Sequence, residues 1–200
     1  MKTDVITVSA KGKRMETALE QVEKVAAYKG LSRKATLHLR LLTEEMMGMM
    51  RAITGAPEGQ FWIEDEEGEY QLHLRVAARL SSEKREQLLS ASATGKNESA
   101  KGLMGRLRDF FDWSCDEDYD TFTNPILLPD AFEYSSAPML DWEWSMRRYE
   151  NVLTARKAQD YAAREAWDEL EKSVVKNVAD DVKVAIRGGS VEMIILKKLA

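Results

Sequence analysis

Residues 32–55 read SRKATLHLRLLTEEMMGMMRAITG, and residues 60–79 read QFWIEDEEGEYQLHLRVAAR. In the first stretch Ala35, Leu39, Leu42, Met46, Met49 and Ile53 recur every three or four residues, which lines them along one face of a helix. Ser32 is placed to cap the start of that helix and Gly55 to end it. Ala56-Pro57-Glu58-Gly59 then breaks the chain. In the second stretch the period falls to two. Tyr70, Leu72, Leu74 and Val76 alternate with Gln71, His73 and Arg75, the pattern of a strand with one buried and one polar face. Glu67-Gly68 separates strands at 60–66 and 69–79, with Gly68 where a hairpin turn requires positive φ.

On the N-terminal side, DVITV (residues 4–8) favours a short strand. A helix follows over Arg14–Tyr28, with Met15, Leu19, Val22 and Ala26 on one face and Gly30 at its C-terminal end. On the C-terminal side, Ser82–Ser92 and Ala100–Phe111 read as two helices joined by ATGKNES. Residues 113–138 hold three of the four prolines, the acidic run DEDYD and scattered aromatics, the composition of a long irregular segment. Met139–Ala179 contains neither Gly nor Pro and fits one long helix or two abutting ones, with Trp142 and Trp144 on it unable to share a face. Asp181–Arg187, Gly188-Gly189 and Ser190–Leu199 close the chain as a second hairpin. This order predicts an α+β fold: a two-layer sandwich of a mixed, mostly antiparallel sheet with helices on one face.

The chain has 200 residues, enough for one domain with a large insertion, here about 93–160. It is 44% apolar and 32% charged, which is globular composition. Its net charge of −5 and lack of a basic block argue against general nucleic-acid binding. Cys115 is the single cysteine, so no intrachain disulfide can form; its acidic neighbours Asp116, Glu117 and Asp118 disfavour a thiolate. No signal peptide and no membrane-crossing run are read, and a cytoplasmic protein is expected.

Familiar site motifs fail residue by residue. Around Gly95-Lys96 a phosphate loop would need glycine at Ser90 and a hydroxyl residue at Asn97. Asp116, Asp118 and Asp120 have calcium-loop spacing, but Thr121 replaces the glycine and Leu127 the bidentate glutamate. His38 and His73 have no spacing that would make a zinc pair. Gly102 and Gly105 give only a G-x-x-G at a helix start, which also suits close helix packing. Glu45 borders the inward stripe of its helix, where a carboxylate can edge a pocket. The run Met46-Met47-Gly48-Met49-Met50 suits core filling or the lining of a groove.

The N-terminal strand, the helix ending in Gly30-Leu31-Ser32, the helix LHLRLLTEEMMGMMRAITG and the closing segment NVADDVKVAIRGGSVEMIILKKL together resemble the histidine-kinase-like (GHKL) ATPase family. The closest match is to its anti-sigma-factor serine kinases. The resemblance covers residues 4–80 and about 177–199. In that family the second helix carries a Glu that activates the attacking group, followed four residues later by an Asn that holds magnesium. Glu45 matches the Glu, but Met49 stands in place of the Asn, and a thioether is a poor ligand for a hard cation. Shifting the register to Glu44 puts Gly48 there instead.

The family's Asp-x-Gly turn, which binds adenine, falls on Val76-Ala77-Ala78-Arg79, with neither residue present. Its glycine-rich lid is reduced to Gly95 and Gly102-Leu103-Met104-Gly105. Met49, Ala77, Gly102 and Gly105 are thus the positions that match the nucleotide pocket. Either Ala100–Phe111, followed by an insertion, or Arg164–Val178, which leads directly into the closing hairpin, matches the family's last helix, and the second is favoured for that continuity. What the resemblance implies is a regulatory protein-binding module with weakened or lost ATP binding and no cofactor. Its expected partners are a sigma factor or an antagonist, and a second copy of the chain in a homodimer. The alternatives are an active, ATP- and magnesium-dependent serine kinase or ATPase using Glu45, and an unrelated α+β protein.

Overall fold

In the computed structural model, residues 1–9, 12–54, 56–77, 142–187 and 190–199 are described. The chain opens with β1 (Ile6–Ser9), α1 (Lys13–Tyr28) and α2 (Arg33–Thr54), followed by the hairpin β2 (Glu58–Glu66) and β3 (Glu69–Ala77). Then come β4 (Trp142–Ser145), α3 (Met146–Arg156), α4 (Tyr161–Glu171), α5 (Val174–Val178), β5 (Asp181–Arg187) and β6 (Ser190–Lys198). The six strands form one sheet in the order β1-β2-β3-β6-β5-β4. Every pairing between these strands is antiparallel, where a mixed sheet was expected.

The local chemistry of the first half follows the sequence closely. Gly30, at φ 63°, lets α1 end in a Schellman turn: the Leu31 amide donates to the Ala26 carbonyl (2.9 Å) and the Gly30 amide to Ala27 (3.2 Å). The Ser32 hydroxyl accepts from the Ala35 amide at 3.2 Å and caps α2. Glu67 and Gly68, at φ 52° and 88°, make the tight turn between β2 and β3. Asp65, just before that turn, is buried; its carboxylate accepts from the Gly68 amide and pairs with Lys29 Nζ at 2.5 Å. Lys29 is the main reason its carboxyl lies below the usual range. This stabilisation is complete above the ordinary aspartate pKa and is lost as pH falls through the lowered one.

Helices and sheet share one continuous core. Phe61 and Ile63 of β2, Leu72 and Leu74 of β3, Val182 and Val184 of β5, and Met193 and Ile195 of β6 all belong to it. On α1 the buried residues are Ala18, Val22, Val25 and Ala26, while Met15 and Leu19 are half-buried at the margin of the face. α2 is buried more widely than a single stripe, because it packs on α1 and α5 as well as on β3 and β6. Hence Thr43, Met47 and Met50 are buried along with the expected Leu39, Leu42, Met46 and Met49.

The stretch Met139–Ala179, expected as helix, is where the structure departs most. Trp142–Ser145 is the sheet's edge strand, paired with β5 from Trp142↔Ile186 to Ser145↔Lys183. The helical-face reasoning for Trp142 and Trp144 therefore does not apply; Trp144 is half-buried, packs on the core and lies 6.0 Å from the Tyr149 ring. Ser145 then turns strand into helix. Its hydroxyl accepts from the Arg148 amide (3.3 Å), and the buried Asp181 carboxylate accepts from the Arg147 amide (3.1 Å). The rest divides at 157–160 and again at 172–173, so Arg164–Val178 is not one helix. The helices expected at Ser82–Ser92 and Ala100–Phe111, and the segment 113–138, lie outside the described residues.

Two glycines make opposite demands. At Gly59, buried in β2, a Cβ would lie 3.0 Å from the Met50 sulfur and 3.1 Å from the Arg75 carbonyl, so glycine is what lets α2 settle on the hairpin. At Gly48, exposed on α2, no described atom lies within 4 Å of that position. Gly48→Ala is therefore expected to stabilise the chain by about 0.5–1 kcal/mol, and Gly59→Ala to destabilise it by about 1–3 kcal/mol. Urea denaturation of the two variants checks both signs.

Candidate functional site

The residues that the sequence marks out fall in the second half of α2 and at the end of β3. Glu45 is half-buried and has no hydrogen-bond or ion-pair partner among the described residues. Its neighbour Glu44 faces Arg40 at 3.9 Å, and Arg40 is also paired with Glu23 of α1. One turn after Glu45, Met49 is 2% exposed and belongs to the core. Met46, Met47 and Met50 are equally buried, so the methionine run fills the core. The nearby Thr43 hydroxyl is buried and donates to the Leu39 carbonyl at 2.8 Å.

Ala77 ends β3, exposed and paired in register with Ser190. Glu45 and Met49 thus share a helix, and α2 packs on β3, the strand that Ala77 closes. Gly102 and Gly105, like Gly95, Cys115 and the acidic run, lie outside the described residues. Among the described residues no three His, Cys, Asp or Glu side chains are grouped to hold a metal ion. Among them, too, no helix is long and apolar enough to cross a membrane.

A second cluster occupies the opposite face of the sheet, away from the core. The hairpin register pairs Trp62 with His73, and their rings stack at 4.7 Å and 11°. Lys2 and Arg75 both lie over the Trp62 indole, at 5.4 and 5.5 Å. The Glu64 carboxylate takes the Trp62 Nε1 hydrogen bond (2.9 Å) and pairs with Lys2 (2.8 Å); Lys2 first and then Trp62 hold its carboxyl below the usual range. Glu192 of β6 faces Arg75 at 3.4 Å. His73 itself is 6% exposed, and neither ring nitrogen has a hydrogen-bond partner among the described residues.

Sequence reasoning passed over this cluster, weighing His73 only as a zinc ligand. The signal was present: once Glu67-Gly68 fixes the turn, the register follows, and Trp62, Glu64, His73 and Arg75 must share the polar face. What one hairpin could not supply is Glu192, which arrives from the far end of the chain.

Comparison with known proteins finds no family model, curated protein or solved structure that matches the chain. The chemistry of the α2 region therefore stands on its own residues. It offers Glu45, a half-buried carboxylate without a partner among the described residues, one turn from the buried Met49.

Two substitutions on one helix should behave in opposite ways. Glu45→Gln is expected to shift stability by no more than about 0.5 kcal/mol, since it breaks no contact. Met49→Asn should cost about 2–5 kcal/mol, because it removes buried apolar volume and leaves an amide without partners. Thermal and urea unfolding of the two variants distinguish these outcomes.

Proposed function

We propose that the chain is a regulatory, protein-binding module on a histidine-kinase-like ATPase scaffold of the anti-sigma-factor type, working in the cytoplasm, whose ATP binding is weakened or lost. Met49 carries the reading. At the position where the resemblance calls for a magnesium-holding Asn, the side chain is a thioether sealed in the core, with no free oxygen donor one turn away except Glu45. The adenine turn is equally bare: β3 runs out at Ala77 with no carboxylate.

The arrangement of elements supports the scaffold half of the proposal. The N-terminal strand and hairpin lie in the same sheet as the closing hairpin, with β6 directly against β3, and α2 packs on both of these strands. The single helix Arg164–Val178 that the resemblance places before the closing hairpin is divided, and only its last five residues, α5, lead straight into β5. The partner class is a sigma factor or its antagonist, with a second copy of the chain as the further candidate.

One observation favours an active kinase or ATPase instead. Glu45 is half-buried yet unpaired among the described residues, a state that suits a carboxylate kept for chemistry. The two readings separate by calorimetry. The regulatory module should give no binding heat when titrated with Mg-ATP, and a Kd on the order of micromolar would overturn it. If phosphoryl transfer is detected, Glu45→Ala should abolish it; undiminished transfer in that variant would remove Glu45 from the mechanism.

A further inference from the structure

His73 lies in the middle of β3, on the sheet face turned away from the helices, between carboxylates from both neighbouring strands. Its Nε2 is 3.8 Å from Glu64 Oε2 on β2, and its Nδ1 is 3.7 Å from Glu192 Oε1 on β6. Both distances exceed a hydrogen bond, and both nitrogens are buried without a partner. A neutral imidazole carries one N–H, so in either tautomer one bare nitrogen lone pair faces a carboxylate. A protonated ring would carry two N–H groups, one aimed at each carboxylate.

From this geometry we propose that Glu64, His73 and Glu192 form a one-proton switch: acidification adds the second N–H, draws both carboxylates onto the ring and loosens the seam where β2, β3 and β6 meet.

The loosening follows from what the carboxylates already hold. Glu64 binds Lys2 and the Trp62 indole, and Glu192 faces Arg75. With a neutral ring, these two carboxylates balance the two cations. Lys183 of β5 lies in the same row, one strand beyond Ile194. Proton uptake adds uncompensated positive charge where the ring is 6% exposed, and closing either carboxylate onto it weakens a pair already made. Lys2 and Arg75, both over Trp62, are the groups released.

Burial is the largest influence on the ring and pushes its pKa below the ordinary histidine value, against the pull of Glu64 and Glu192. The unfolded chain therefore takes up the proton first. Stability is complete above the ordinary value of about 6.5 and is lost as pH falls from there through the lowered pKa.

The chain has only two histidines, which makes the test direct. In a His38→Gln background the single remaining ring resonance belongs to His73, and its NMR titration should have a midpoint below the ordinary histidine value. Glu192→Gln, which removes an attraction, should lower that midpoint further. Between the two pKa values, the unfolding constant of the wild-type chain should rise about tenfold more per pH unit than that of His73→Gln. A midpoint at or above the ordinary value, a midpoint unmoved by Glu192→Gln, or parallel stability profiles for wild type and His73→Gln would each overturn the switch. Should His73→Gln not fold, the ring titrations in the other two variants decide the matter.

Discussion

The pairing of β3 with β6 is the interaction on which the described structure depends. It runs in unbroken register from Glu69↔Lys198 to Ala77↔Ser190 and joins the N-terminal three strands to the C-terminal three. Across it, Arg75 meets Glu192 from 117 residues away. Closing a loop of that length costs about 4 kcal/mol of chain entropy. On the core side the same pairing sets Leu72 against Ile195, Leu74 against Met193 and Val76 against Val191, all buried. At about 1.5–3 kcal/mol for each buried side chain, these six outweigh the closure cost. Without this seam α2 would lose β6 from the surface it packs on, and the core shared by the two halves of the sheet would be divided.

The legibility of the sequence follows from the range of the forces involved. Wherever structure is set within a few residues, it could be read: the Gly30 turn, the Ser32 cap and the Glu67-Gly68 turn each depend on the conformational needs of one or two side chains. β4 depends on a partner strand about forty residues further on. WEWS is a short, ambiguous piece among helix formers, and pairing with β5 overrides its surroundings. Its clue was Ser145, a helix cap that marks where the helix begins and hence where it cannot extend backwards. The breaks at 157–160 and 172–173 lack Gly and Pro, so nothing in the composition announced them. They are held by contacts such as Lys157 over the Trp167 ring at 3.9 Å and Asn177 on the Glu171 carbonyl at 3.0 Å.

The candidate site was legible in its residues but not in its consequences. Met49 could be read both as a replacement for an oxygen ligand and as part of the inward stripe, whereas the burial of Met47 and Met50 beside it could not, because it needs the further elements that α2 packs on. The burial of Met49 carries weight in the functional reading. A thioether at the edge of an open cavity would leave room for water or a substitute ligand around a cation. One buried in a continuous apolar core is shielded from water, and restoring an oxygen there would mean burying a polar group without partners. An oxygen-bearing side chain at this position is thus disfavoured by folding itself.

The two faces of β3 are bound together by strand geometry. Leu72 and Leu74 point into the core while His73, between them, points to the charged row. A slip of one residue would exchange the two sets, placing an imidazole against α2 and two leucines beside Glu64 and Glu192, so the seam has no low-cost intermediate register. Stress on the outer row can therefore be relieved only by opening, not by sliding. The strand that holds the halves of the sheet together is also the one that carries the unpaired imidazole, so a charge placed there acts directly on the contact that closes the fold.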